Sequence, residues 1–270
     1  MGEAGEVTMA KAAFETVPRR DRVVTALALA VLTALAWSYL LWLAADMDMG
    51  GMDMSTALMT PAHAPWRVMD FAFLFAMWTV MMVGMMTPSA APMILMYARV
   101  GRQAEAQGTP LAATGWFVVG YFLAWIGFSL VATLTQWALE RAALLDAAMS
   151  SRSNILGGIV LIAAGGYQWT PLKDVCLAQC QTPRLFLTRH GGFRPDAPGC
   201  LLLGLRHGTY CVGCCWVLMA LLLVGGVMNV LLIAVLALLV LLEKVTSFGR
   251  LIARLTGIAL ISAGGLLLLL

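Results

Sequence analysis

The cysteines are the residues of this sequence best suited to carry chemistry, and they are concentrated in its second half. All six lie between positions 176 and 215 of a chain of 270 residues. Cys176 and Cys180 are four residues apart, so their thiols share one face if the segment is helical. A second group has the same kind of spacing and contains His207, Cys211, Cys214 and Cys215. The pattern predicts two groups of ligands, each on one helix face or its edge.

Sulfur ligands of this kind indicate a soft metal ion. Thiolates select Cu(I), Zn(II) or iron–sulfur clusters, and imidazole is a compatible additional ligand. The spacing differs from the paired Cys-x-x-Cys of a zinc ribbon, so it does not identify the metal. A free cysteine also serves as a small buried apolar residue, which is the structural alternative for any one position. Five thiols in two local groups, with a histidine in register, favour a metal or redox site.

Methionines form a second set of candidate ligands. The segment 47–54 alternates Met with Asp and Gly, a pattern that helix packing does not require. Further along, Met77, Met81 and Met85 are four residues apart and would follow one side of a helix. Core packing is the alternative for these helical methionines. Thioethers bind Cu(I) without losing a proton, so the methionines favour copper(I) over zinc. The predicted thioether ligands are Met49, Met52, Met81 and Met85.

The composition determines the class of protein that must hold these ligands. Hydrophobic residues make up 61% of the chain and charged residues only 11%, and the mean hydropathy is +0.87. A soluble domain carries about 25% charged residues. Basic residues are scattered at helix ends, which argues against a nucleic-acid partner, and no phosphate-binding loop or dinucleotide fingerprint is present. The chain is therefore predicted to be an all-α, polytopic helical membrane protein whose surroundings are the lipid bilayer.

Apolar segments along the chain predict about six or seven transmembrane helices, since about 20 apolar residues cross the hydrocarbon core. They form a single domain over 23–270, after an N-terminal tail 1–22, with a Cys-rich loop over 172–209. Lys and Arg are richest in the tail and in every second loop, as is typical of cytoplasmic segments. This bias places the N-terminus and the Cys-rich loop in the cytoplasm, where thiols stay reduced. The segments are 23–45, 68–98, 112–138, 154–171, 210–227, 229–243 and 251–270.

Several longer motifs between residues 68 and 245 are more specific than any single ligand. They are Met81-Met-Val-Gly-Met-Met-Thr-Pro88, Tyr167-Gln-Trp-Thr-Pro-Leu-Lys173, Cys176-Leu-Ala-Gln-Cys180, Cys211-Val-Gly-Cys214-Cys215-Trp216, Gly226-Val-Met-Asn229 and Glu243-Lys244. Together they resemble a bacterial family of uncharacterised, predicted metal-binding integral membrane proteins, the domain of unknown function 2182. The resemblance implies metal binding and does not distinguish transport from catalysis. The chain departs from the family pattern at Gln181 and at Val230-Leu231-Leu232.

The leading hypothesis is that this protein handles copper(I) by transport or delivery in the bacterial inner membrane. External methionines would collect the ion and pass it to the cysteines, a downhill transfer that needs no ATP. The alternative is a membrane thiol oxidoreductase or a metal-dependent membrane enzyme using the same cysteines, so enzymatic activity stays open. A scaffold with structural cysteines is the third possibility. A soluble metal chaperone or a membrane complex is the kind of protein partner that a delivery role leaves open.

Overall fold

The computed structural model describes residues 19–48, 67–108, 111–142 and 154–269. Within these ranges the chain is helical and contains no strand, which confirms the all-α prediction. Most of the predicted tail 1–22 and the Met-rich segment with Met49 and Met52 lie outside the described residues. The helices are α1 (Arg19–Asp48), α2 (Val68–Ala106), α3 (Thr114–Arg141), α4 (Asn154–Tyr167), α5 (Pro171–Gln181), α6 (Pro183–Arg189), α7 (Ala197–Ala220), α8 (Leu222–Gly225), α9 (Val230–Val245) and α10 (Gly249–Leu269).

Five of the described stretches are long and apolar enough to cross a membrane: α1, α2, α3, α7 with α8, and α10. A sixth is formed if α4 and α5, which meet at an angle of 63°, count as one broken span. Large apolar side chains such as Leu35, Leu134 and Leu255 are exposed on the outer helices, as lipid-facing residues are. The fold is that of a polytopic helical membrane protein. The segment 229–243 corresponds to α9, whose 16 residues are fewer than a span normally needs.

The segment 172–209 differs from the loop that was expected, because it is helical over most of its length. Helix α5 starts at Pro171, and the Thr170 side chain accepts a hydrogen bond from the backbone N–H of Lys173. Helix α7 starts after Asp196, whose carboxylate accepts from the backbone N–H of Gly199 at 2.6 Å. Side-chain caps of this kind fix where a helix begins. The span expected from residue 210 therefore begins at Ala197 and carries the histidine and four of the cysteines.

Among the described helices, α3 and α7 pack most closely against each other, and this packing positions the cysteines of α7. A Cβ added to Gly120 of α3 would lie 2.0 Å from the Leu201 carbonyl oxygen, and one added to Gly204 of α7 would lie 2.1 Å from that of Phe117. The two backbones can approach this closely only because both positions lack a side chain. Helices α4 and α10 pack in the same way through Gly165.

Helix α2 places the methionines of the second span in the centre of the molecule. It is 39 residues long, contains Pro88 and Pro92, and packs against α1, α3 and α9. Most of its methionines face the protein interior rather than lipid, whereas Met69 at its start is 76% exposed. The buried ones are Met77, Met81, Met82, Met85, Met86 and Met93.

Candidate metal centre

The two groups of cysteines meet in space, although they lie on different helices. The Cys180 thiol of α5 lies close enough to the thiols of Cys211 and Cys214 of α7 to interact with both. Cys215 stands in the same relation to Cys211 and Cys214. These four residues are called the thiol cluster below. The three from α7 are buried, whereas Cys180 is partly exposed.

Hydrogen bonds hold the sulfur atoms of the cluster in place. The thiols of Cys214 and Cys215 donate to the backbone carbonyl of Cys211, at 3.1 and 3.0 Å. The Tyr121 hydroxyl of α3 lies 3.0 Å from the Cys211 sulfur. Within the described ranges, no group of three or more His, Cys, Asp or Glu side chains is already arranged around a position for a metal ion. A bound ion would have to replace these hydrogen bonds.

Lys244 of α9 brings a positive charge into the cluster. Its Nζ lies 2.8 Å from the Cys211 sulfur and 3.8 Å from the Cys215 sulfur. The Met86 sulfur is 3.9 Å from the same ammonium. Lys244 is thus buried among three sulfur atoms, although Glu243 is its neighbour in the chain.

A buried ion pair ties α5 to α9 beside the cluster. Lys173 and Glu243 are each about 1% exposed, and their Nζ and Oε2 atoms are 2.8 Å apart. Lys173 also donates to the side chain of Gln168. The second carboxylate oxygen of Glu243 has no hydrogen-bond partner. Because breaking a buried pair leaves an uncompensated charge, this contact holds α5, and with it Cys180, against the rest of the site.

Cys176 packs next to the cluster on α5. A Cβ added to Gly213 of α7 would lie 2.9 Å from the Cys176 sulfur. The Tyr167 hydroxyl donates to the carbonyl of the same glycine. Cys176 is buried. Its sulfur therefore lies against the α7 backbone, between the residues that carry the Cys211 and Cys214 thiols.

His207 lies one helical turn before Cys211 and is surrounded by aromatic rings. Its ring centroid is 4.9 Å from that of Phe186, 5.8 Å from Tyr121 and 5.9 Å from Phe117. The side chain is 3% exposed, and its Nδ1 atom has no hydrogen-bond partner. The histidine is thus adjacent to the cluster with one ring nitrogen unused.

The other predicted sulfur ligands are distributed differently. Met81 and Met85 are buried in the core on α2. The methionine of this helix whose sulfur lies 3.9 Å from the Lys244 ammonium is Met86, which was not among the predicted ligands. Cys200, near the start of α7, has its thiol 3.9 Å from the Ala113 carbonyl.

Sequence reasoning missed Tyr121 and Ser89, both of which contact the site. Neither belongs to a motif that signals a metal. The available signal was their polarity within an apolar span, where polar groups are costly and tend to be functional.

The chemistry of the donors suits a soft monovalent ion. Four thiols lie near one another with one thioether close by, and sulfur of both kinds is the preferred ligand of Cu(I). The carboxylate at the site, Glu243, is already paired with Lys173. A hard ion such as Mg²⁺, which prefers several oxygen ligands, does not fit this arrangement.

Comparison with known proteins adds one finding. The PpoB2 family model, described as a copper chaperone, matches residues 75–267. The matched range contains the whole thiol cluster, Lys244 and the helices from α3 to α9. No curated protein and no solved structure matched the chain. The match agrees with the expected relation to copper, and the particular family named from the sequence motifs stays a prediction.

Proposed function

Since this chain belongs to the PpoB2 family of copper chaperones, we propose that it binds Cu(I) in the thiol cluster and delivers it to an acceptor. The observation that carries the proposal is the convergence of Cys180 with Cys211 and Cys214 from a separate helix. Two helices that each carry thiols and meet at a buried point form a site with more sulfur than either helix provides alone.

Binding at this site follows from the chemistry of the ligands. A thiol must lose its proton to become a good ligand, so loading Cu(I) onto two thiols releases two protons and forms a dithiolate complex. The buried position excludes water and oxygen-based competitors. Cys176 and His207 border the cluster and are proposed as additional ligands during loading or release, because each lies within a helical turn of a cluster residue or against its backbone.

The proposed route of the ion uses the methionines. Met49 and Met52, in the predicted external loop, would collect Cu(I), and Met81 and Met85 of α2 would guide it inward. Thioethers are weaker ligands than thiolates for Cu(I), so transfer toward the cysteines is downhill. Buried thioethers along α2 support this route. The protein would lie in the bacterial inner membrane with its N-terminus in the cytoplasm.

Release is proposed to occur past Cys180, the partly exposed member of the cluster. Helix α5, which carries it, has only 11 residues and meets α4 at 63°. An acceptor thiol or thioether could approach there and exchange ligands with the bound ion. The acceptor would be a soluble metal chaperone or a membrane complex.

The test is anaerobic Cu(I) binding by the purified protein in detergent. Wild-type protein is expected to retain a stoichiometric amount of Cu(I), and the Cys211→Ser/Cys214→Ser/Cys215→Ser variant is expected to lose it. Cys200→Ser is the matched control, because that thiol contacts the Ala113 carbonyl instead of the cluster. Unchanged Cu(I) stoichiometry and affinity in the triple variant would overturn the proposal.

The proximity of the thiols also supports a second candidate, a membrane thiol oxidoreductase. Cys180 and Cys211 are free and close enough to interact, as a dithiol that cycles to a disulfide requires. Thiol trapping in intact cells distinguishes the two functions. Cysteines that alternate between reduced and disulfide forms in protein without bound metal would favour the enzyme, and thiols that stay reduced and bind copper would favour delivery.

A further inference from the structure

Lys244 is the buried cation closest to the proposed copper ligands. Its ammonium lies within 4 Å of three sulfur atoms, those of Cys211, Cys215 and Met86. A fourth neighbour is the Ser89 hydroxyl of α2 at 3.5 Å. A cation is therefore already held at the point on which these sulfur atoms converge.

The buried charges around the cluster do not cancel. Among the described residues, the buried Lys, Arg, Asp and Glu side chains are Lys173, Glu243 and Lys244. Lys173 and Glu243 pair at 2.8 Å and neutralise each other. Lys244 has no carboxylate partner in its hydrogen bonds, which go to sulfur and to a hydroxyl. The site therefore carries one uncompensated positive charge.

One positive charge matches one particular copper complex. Loading Cu⁺ onto two thiols releases two protons and leaves a dithiolate complex with a charge of −1, which a single ammonium neutralises. A third thiolate would raise the charge of the complex to −2 and leave one negative charge unbalanced. In a buried site, where effective dielectric constants are low, such an imbalance is costly.

We infer that Lys244 is the built-in counter-ion of a two-coordinate copper dithiolate formed by Cys211 and Cys215. On loading, Cu(I) takes the position between the sulfur atoms, and the ammonium moves toward Ser89 while its charge stays beside the complex. Cys180 and Cys214 lie beside this pair and serve as the incoming ligands when the ion leaves. This inference rests on the proposed function, because it assigns the coordination and charge balance of that same site.

The sharpest test changes the charge next to Lys244 without changing Lys244. Ser89→Asp places a carboxylate where it pairs with the ammonium, and Ser89→Asn has nearly the same shape without the charge. Cu(I) affinity, measured by competition with a chromophoric Cu(I) chelator, is expected to be at least about tenfold weaker in Ser89→Asp than in Ser89→Asn. Equal affinities in the two variants would overturn the inference.

Two further variants test the lysine itself. Lys244→Gln is expected to weaken Cu(I) binding by at least about tenfold, and Lys244→Arg to restore most of the affinity because it keeps the charge. Arg250→Gln on α10 removes one positive charge from an exposed position and is expected to change nothing. A Lys244→Arg variant no better than Lys244→Gln would contradict a counter-ion role.

X-ray absorption spectroscopy on the copper-loaded wild-type protein counts the sulfur ligands of copper, so it tests the inference even if the variants fail to fold. Two sulfur ligands at copper agree with the inference, and three or more overturn it. The two proposals fail in different ways. Copper retained by the triple cysteine variant overturns the function itself, whereas cysteine-dependent copper with three sulfur ligands overturns only the role of Lys244.

Discussion

At the scale of single residues, the cluster is organised by groups that are not themselves cysteines. The Tyr121 hydroxyl and the Lys244 ammonium approach the Cys211 sulfur at 3.0 and 2.8 Å. Hydrogen bonds to a charged acceptor are stronger than those to a neutral one. Both contacts therefore stabilise the negative charge that Cys211 acquires when it gives up its proton to bind Cu(I).

Tyr121→Phe tests the contact between the Tyr121 hydroxyl and the Cys211 sulfur by removing a single oxygen atom. The variant removes the hydroxyl next to Cys211 and leaves the ring that packs beside His207. A hydrogen bond of this type contributes about 1.5–3 kcal/mol when one partner is charged, so Cu(I) affinity is expected to fall by about tenfold or more. Tyr97→Phe is the matched control, because that buried hydroxyl lies 3.5 Å from the Arg194 backbone nitrogen. Equal Cu(I) affinities in the two variants, by chelator competition, would show that the hydroxyl has no part in binding.

At the scale of helices, the site depends on how closely α3 and α7 approach. The crossing at Gly120 and Gly204 leaves no space for a side chain. Tyr121 follows Gly120 directly, and Cys211 lies two turns beyond Gly204. Any change that separates the two helices therefore also separates the Tyr121 hydroxyl from the Cys211 sulfur.

Gly120→Ala is expected to destabilise the protein, because its new Cβ would overlap the Leu201 carbonyl oxygen at 2.0 Å. Overpacking of this kind costs about 1–3 kcal/mol, and Cu(I) affinity should fall with it. Gly127→Ala lies on the same helix, where a Cβ meets nothing within 4 Å, and is expected to be neutral. Thermal unfolding in detergent measures the difference. Identical melting temperatures for the two variants would mean that the crossing tolerates a side chain.

Helix-scale patterns also explain what could be predicted from the sequence. The spacing from His207 to Cys215 was enough to predict one helix face, because the helical repeat is a local property. The start of α7 was missed since Arg206 and His207 lower the hydropathy of a helix whose first turns are otherwise apolar. Helix α7 begins where the Asp196 side chain caps its first turn, and hydropathy does not reveal this cap.

The meeting of the two cysteine groups could not be predicted from local patterns. It depends on how α5, which meets α4 at 63°, packs against α7. The position of Lys244 beside the cluster could not be predicted either, because Lys244 and Cys211, whose sulfur it contacts, are 33 positions apart in the chain. The adjacent charges of Glu243 and Lys244, at the end of an apolar helix, do not by themselves specify a partner.

At the scale of the whole molecule, one backbone contact joins the segment before α3 to the basic segment before α7. The backbone N–H of Ala112, just before α3, donates to the carbonyl of Arg194, just before α7. This contact brings the segment after Arg102 together with the basic segment around α6. The charge bias of membrane proteins assigns such a side to the cytoplasm. Cys180, at the end of α5 next to this segment, should then be reached from the cytoplasm.

A membrane-impermeant maleimide tests both the orientation and the proposed exit. Inside-out vesicles expose the cytoplasmic face, and their protein is expected to react mainly at Cys180, since the other five cysteines are buried. Right-side-out vesicles should react far less, and Cys180→Ser should remove most of the labelling. Prior loading with Cu(I) is expected to leave this labelling largely unchanged, because the ion is held by Cys211 and Cys215 rather than by Cys180. Labelling from the opposite face would reverse the orientation, and copper would then leave toward the periplasm.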